Sequence, residues 1–274
     1  MLISFITTIK ICKNYEWLLE SLMFYVKNID YYCKKYLIEY EILICEQIDK
    51  KNICRINDKC NFTGYNVSII ELNQNYDNPF NFNLIEAYGK NECLKYAIGE
   101  YTCMTSSDIL FSENFFMFIK NNLQKEKFYR FATYEIPRYN FDINTQITEI
   151  LTYCEKHNNK RLANGGCFVA NPNACQLAQK SGDIMLLDTE SFKKIKGWPE
   201  TECFVHMDYA TCIVATNNFK AIVPDKNICV YTFTQKNRES NTENRYVKIG
   251  NNTYSLENYQ FMRAISYRDK LVSN

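Results

Sequence analysis

The chain has 274 residues, of which 46% are hydrophobic and 15% aromatic, so it is not an intrinsically disordered protein and can bury one large core with an appended tail. Its 32 basic and 31 acidic residues nearly cancel, and no run of Lys or Arg forms a stripe for a polyanion, which excludes nucleic acid as the main partner. No segment is apolar for the length of a membrane span.

Read in chain order, Leu2–Ile9 is a β-rich run that predicts a buried central strand. MLISFITTIK is too short, and lacks the basic lead, for a signal peptide. Asn14 is the expected cap of a helix whose apolar side carries Trp17, Leu18, Met23, Phe24, Val26 and Ile29. Ile42–Cys45 and Val67–Leu72 predict two further strands. Pro79 opens a loop before a helix over 83–97, closed by Gly99, and Tyr101–Thr105 is the fourth strand. A helix is expected over Phe115–Leu123. Strands alternating with helices point to βαβ units and a mostly parallel sheet.

The second half is less regular. Phe128–Tyr134, Cys167–Ala170, Asp183–Leu187, Ala221–Val223 and Ile228–Phe233 read as strands, and Ser191–Ile195 and Phe204–Thr216 as helices. Thr234–Thr253 is polar and expected to be mobile, and Tyr259–Leu271 reads as a terminal helix. The expected organisation is one domain over 1–230, divided into halves 1–112 and 113–230, with a tail over 231–274.

The 13 cysteines contain no Cys-x-x-Cys pair, and with two histidines, His157 and His206, they form no zinc pattern. Cys45, Cys103 and Cys229 lie inside apolar runs and read as small buried hydrophobes, which points to a reducing, cytosolic location, in solution or peripheral to a membrane. Neither Gly-x-Gly-x-x-Gly nor Gly-x-x-x-x-Gly-Lys nor Gly-x-Ser-x-Gly occurs, so dinucleotide, P-loop and α/β-hydrolase chemistry are disfavoured. What remains is a series of acids at strand ends: Glu46 after ILIC, Asp108 after YTCMT, Asp183 opening DIMLL, and Asp208 in FVHMDYA. In a parallel sheet Glu46 and Asp108 emerge at the edge where ligands bind.

The order of these blocks resembles the GT-A glycosyltransferases, the family-2-like group in particular. The resemblance is carried by ISFITTI, by EILICEQ, by EAYGKNECLKYAIGEYTCMTSSDILFS, by SGDIMLLDTESFKKIKGWPE and by FVHMDYA, over about residues 2–215. It implies an α/β, Rossmann-like nucleotide-diphospho-sugar transferase fold with a mostly parallel central sheet flanked by helices. It further implies a sugar transferred from a nucleotide-diphosphate donor, a UDP-sugar by expectation, to a hydroxyl of a glycan, lipid-linked or protein acceptor, with inversion and with Mn²⁺ or Mg²⁺ as cofactor. Under the same resemblance Thr7, Thr8 and Glu46 line the base and ribose, Lys90 faces the diphosphate, and Asn91, Ser106 and Ser107 belong to the nucleotide-sugar site. Asp108 holds the metal, Asp208 is the general base, and Gly182, Asp183, Trp198 and His206 stand on the acceptor side. The chain departs from the family pattern at Ser106, where the first acid of the Asp-x-Asp motif belongs, and at Met207, in place of the Glu of a Glu-Asp pair. It also lacks a His in CVYTFTQ. The departures at Ser106 and Met207 fit an alternative, a non-catalytic glycan- or nucleotide-sugar-binding module. A nucleotidyltransferase is a further alternative, although ITTIKICKNY lacks its Gly-rich basic loop. Oligomeric state is left open.

Overall fold

A computed structural model describes residues 1–9, 17–48, 55–72, 86–137, 141–158, 160–161, 184–198, 207–233, 246–249 and 252–255. The first half alternates strand and helix: β1 (Leu2–Ile9), α1 (Trp17–Tyr36), β2 (Glu39–Gln47), α2 (Ile56–Lys59), β3 (Val67–Leu72), α3 (Glu86–Tyr96) and β4 (Tyr101–Met104). The second half runs β5 (Ile109–Phe111), α4 (Glu113–Asn122), β6 (Lys127–Tyr129), β7 (Ala132–Ile136), α5 (Ile147–His157), β8 (Lys160–Arg161), β9 (Met185–Asp188), α6 (Thr189–Lys194), α7 (Met207–Asn218), β10 (Lys220–Ile222), β11 (Cys229–Phe233), β12 (Tyr246–Ile249) and β13 (Asn252–Ser255).

Seven strands form the main sheet in the order β10-β6-β9-β4-β1-β2-β3. β1 pairs in parallel with β2 and with β4, and β2 in parallel with β3. β9 runs antiparallel to β4 and β6, and β10 lies parallel to β6. β1 is central and buried from its second residue onward, which is why it reads as a nearly unbroken apolar run. Its alternate side chains enter different layers. Ile3, Phe5 and Ile9 join the core that includes α1, α4 and α5, whereas Ile6 joins Leu43, Cys45, Cys93, Leu94 and Trp198 on the α3 face. A second sheet, β5-β11-β7-β8, stands beside the first, with β11 parallel to β7 and antiparallel to β5.

The fold is the α/β arrangement with a mostly parallel sheet that the sequence implies. Three local readings differ. The predicted strand over Phe128–Tyr134 is two strands in different sheets, because the chain leaves the main sheet at Arg130 and Phe131. Ile147, Ile150, Leu151 and Cys154 make the buried stripe of α5, a helix that the linear reading passed over. Within and just past the polar stretch expected to be mobile, β12 and β13 pair antiparallel, with Ile249 opposite Asn252. Asn14, Cys167–Ala170 and Tyr259–Leu271 lie outside the described residues. Cys33, Cys45, Cys60, Cys93, Cys103, Cys154, Cys212 and Cys229 are buried and form no disulfide among the described residues. Among the described residues no helix is long and apolar enough to cross a membrane.

Candidate functional site

The strand order decides where a ligand fits. From β1 the chain steps outward to β2 and β3, then returns to the other side of β1 as β4. At such a reversal the loops leaving adjacent parallel strands diverge and open a crevice at their C-terminal ends. β1 ends in Thr7-Thr8-Ile9, and β4 is followed by Thr105 and the turn Ser106-Ser107-Asp108. Register puts Thr7 opposite Ile44, Thr8 opposite Cys45, Ile9 opposite Glu46, and Ile6 opposite Met104. Thr7, Thr8, Glu46 and the Ser106–Asp108 turn therefore share one edge.

Their surroundings differ. Thr7 and Thr8 are buried, and the Oγ1 of each has no hydrogen-bond partner among the described residues. An unpaired buried hydroxyl is costly, which sets these two apart from the other polar groups of β1. Thr8 faces α3 at Gly89, where a Cβ would stand 2.4 Å from Thr8 Cγ2 and 3.2 Å from Cys45 Sγ. Glu46 is buried and accepts a hydrogen bond from the Ile56 amide at 2.9 Å, which ties β2 to the start of α2. Burial pushes the Glu46 carboxyl above the ordinary carboxylate range, against the opposing pull of that amide and of Arg55. Asp108 is half-buried and accepts from Thr232 Oγ1 at 3.4 Å, a long contact reaching it from β11.

Lys90, Asn91 and Trp198 form a second group on the α3 face. Asn91 holds the backbone of Trp198 twice: its Nδ2 donates to Trp198 O at 2.7 Å, and Trp198 N donates to its Oδ1 at 2.8 Å. Lys90 Nζ is fully buried, 3.8 Å from the centre of the Trp198 ring and 2.5 Å from Glu86 Oε1. That approach to Glu86 is an ion pair whose angles fall outside hydrogen-bond geometry. Trp198 is buried and its indole N–H has no partner among the described residues. Asp208 is the second residue of α7. Gly182, Asp183 and His206 lie outside the described residues.

No protein-family model and no curated protein matches the chain. Solved structures do. S. aureus TarS, residues 1–349, aligns over 85% of this chain and 60% of its own, with 15% identity and a TM-score of 0.52. The same protein in complex with UDP-GlcNAc aligns over 87% and 60%, with 13% identity and a TM-score of 0.50. The mannosyltransferase PcManGT from Pyrobaculum calidifontis, in complex with GDP-Man and Mn²⁺, aligns over 84% and 56%, with 14% identity and a TM-score of 0.50. The fold is GT-A. The chain spans 56–60% of the length of these three structures.

Within the GT-A frame, two buried groups at the same edge escaped the sequence reading. Thr105 ends the β4 region and donates through Oγ1 to Tyr25 OH at 3.0 Å. Arg130, fully buried just past the end of β6, donates through Nη1 to Ile184 O at 2.9 Å, immediately after Asp183 in the chain. An Arg directly after a short apolar run such as KFY was the available signal. Nothing local in sequence marks Thr105, because its partner lies 80 positions away. Among the described residues no group of three or more His, Cys, Asp or Glu side chains converges as a metal cage. One half-buried carboxylate beside two serines suits a different kind of site, in which a hard cation takes one or two carboxylates and draws its other ligands from phosphate oxygens and water.

Proposed function

We propose that this chain is a glycosyltransferase that moves a sugar from a nucleotide-diphosphate donor, a UDP-sugar by preference, to a hydroxyl of a glycan, lipid-linked or protein acceptor. The observation that carries the reading is that the hydroxyls of Thr7 and Thr8, one on each face of β1, are buried and without a partner among the described residues, at the sheet edge that also bears Asp108 and at the reversal of strand order. The GT-A fold supports it, as do the UDP-GlcNAc and GDP-Man seen in the similar structures.

In this reading residues 1–112 bind the donor, 113–230 face the acceptor, and 231–274 form the tail. Thr7, Thr8 and Glu46 hold the base and ribose. Lys90 faces the diphosphate, whose negative charge grows as the sugar departs. Asp108, flanked by Ser106 and Ser107, would hold Mn²⁺ or Mg²⁺. When bound, such a cation neutralises charge on the leaving phosphates. Asp208 takes the proton from the acceptor hydroxyl, a contribution of about 10²- to 10⁴-fold for a positioned base. One base acting once gives inversion at the anomeric carbon. Gly182, Asp183, Trp198 and His206 stand on the acceptor side.

The test is release of nucleoside diphosphate from a panel of nucleotide sugars with Mn²⁺. Turnover of one donor that vanishes in Asp108→Ala supports the enzyme. Transfer that falls in Asp208→Asn while donor affinity holds supports the base assignment, and an unchanged rate removes it. Donor binding with no turnover on any acceptor favours the non-catalytic module, for which Ser106 in place of an acid is the specific observation. Release of pyrophosphate from a nucleoside triphosphate favours a nucleotidyltransferase.

A further inference from the structure

The turn that carries Asp108 is gripped on both flanks by one helix. Tyr25 and Asn28 are three residues apart on α1, so they project from the same side of it, and both are fully buried. Tyr25 OH accepts from Thr105 Oγ1 at 3.0 Å, on the residue directly before Ser106. Asn28 Nδ2 donates to Phe111 O at 3.1 Å, and Phe111 N donates to Asn28 Oδ1 at 2.7 Å. The Asn28 amide thus behaves as a strand partner for the open side of β5, whose other side pairs with β11. Thr105 is fixed once more from β1, since its N–H donates to Ile6 O at 2.8 Å. Only Ser106–Leu110 lie between the two anchors, and Thr232 reaches Asp108 from β11 at 3.4 Å.

We propose that Tyr25 and Asn28 are positioning residues for Asp108: they fix the turn so that its carboxylate meets a cation bound to the donor diphosphate. The proposal rests on the glycosyltransferase reading of the same edge. A buried Asn in a helix interior is a poor helix former. Here it satisfies one donor and one acceptor that packing alone would leave bare. The order of cause is α1, then the turn, then the carboxylate.

The experiment titrates UDP, and separately GDP, into the full chain with and without Mn²⁺, for wild type, Tyr25→Phe, Asn28→Ala and Asn28→Asp, with thermal melts alongside. Tyr25→Phe keeps the ring packed near Phe111, 6.0 Å away between centroids, and removes only the hydroxyl. Asn28→Asp keeps an acceptor for Phe111 N and, as the neutral acid that burial favours, a donor for Phe111 O, and it serves as the second variant should Asn28→Ala fail to fold. The Mn²⁺-dependent gain in nucleotide affinity should fall about tenfold in Tyr25→Phe and Asn28→Ala, the size usual for residues that orient a metal ligand, with metal-free affinity unchanged and Asn28→Asp intermediate. A purely structural role predicts lower melting temperatures with the Mn²⁺-dependent gain intact in every folded variant, and that result overturns the proposal. Wild type that binds neither nucleotide in either condition overturns the glycosyltransferase reading and the positioning role with it. Wild type that shows the gain, with folded variants equal to it, overturns the positioning role alone.

Discussion

The clamp between Asn91 and Trp198 gives a quantitative test of how the segment before Pro199 is held on α3. Asn91→Ala removes the partners of two buried backbone groups, Trp198 N and Trp198 O, bonded at 2.8 and 2.7 Å. Each orphaned group costs about 1–3 kcal/mol, so the substitution should cost roughly 2–6 kcal/mol. Domains of this kind are stable by about 5–15 kcal/mol, so the effect is large but measurable. The other side of the contact offers a control. Gly197 has φ +69°, and a Cβ there would stand 2.2 Å from Asn91 Oδ1. Gly197→Ala therefore adds about 1–2 kcal/mol of left-handed strain and pushes Asn91 off Trp198. In the double variant that clash has lost its partner, so the two losses should sum to less than their separate values by about 0.5–3 kcal/mol. Urea unfolding of the four proteins, followed by Trp fluorescence and circular dichroism, measures the cycle. A loss below about 0.5 kcal/mol for Asn91→Ala, the range of a surface change, would refute the claim that these bonds hold the segment. Strict additivity would refute the contact itself.

Three further outcomes follow from local features. The Glu46 carboxyl is raised by burial, so the folded chain binds the extra proton, and stability is fully present below the ordinary carboxylate range and falls as pH rises through the raised value. Glu46→Gln, which still accepts from Ile56 N, should flatten that slope and raise the melting temperature at neutral pH in melts taken from acid to neutral conditions. Leu37 closes α1 at φ +54° with 87% of its surface exposed, while Ile38 N and Leu37 N return to Cys33 O and Lys34 O. Leu37→Gly should relieve the left-handed strain and stabilise by about 0.5–1 kcal/mol in urea unfolding. Burial raises the Cys33, Cys103 and Cys154 thiols, so mass spectrometry after alkylation at neutral pH should find these three unmodified in the native chain and labelled after unfolding.

The first half of the fold was legible because its strands are short apolar runs between turn residues. Leu2–Ile9 and Val67–Leu72 have the predicted limits, and Tyr101–Thr105 is one residue long at its end. The second half was less legible because its signals are short. KFY and ATYEI sit two residues apart yet belong to different sheets, a choice made by β9 and β11 far along the chain. α5 carried its stripe openly in Ile147, Ile150, Leu151 and Cys154, and a periodicity count over that window would have found it. At the candidate site, the places of Glu46 and Asp108 at the ends of β2 and β4 could be read from position, whereas Thr7 and Thr8 entered through the resemblance. Tyr25, Asn28 and Arg130 could not, because each bonds to a residue 54–83 positions distant, and such partnerships are set only once the chain has folded.

The single reversed strand of the main sheet has a corollary. Its parallel neighbours end at the edge that bears Thr8, Glu46 and Thr105, whereas β9 begins there, directly after Ile184. Changes where the chain enters β9 at Ile184 can therefore act at that end of the sheet while β1, β2 and β4 keep their register.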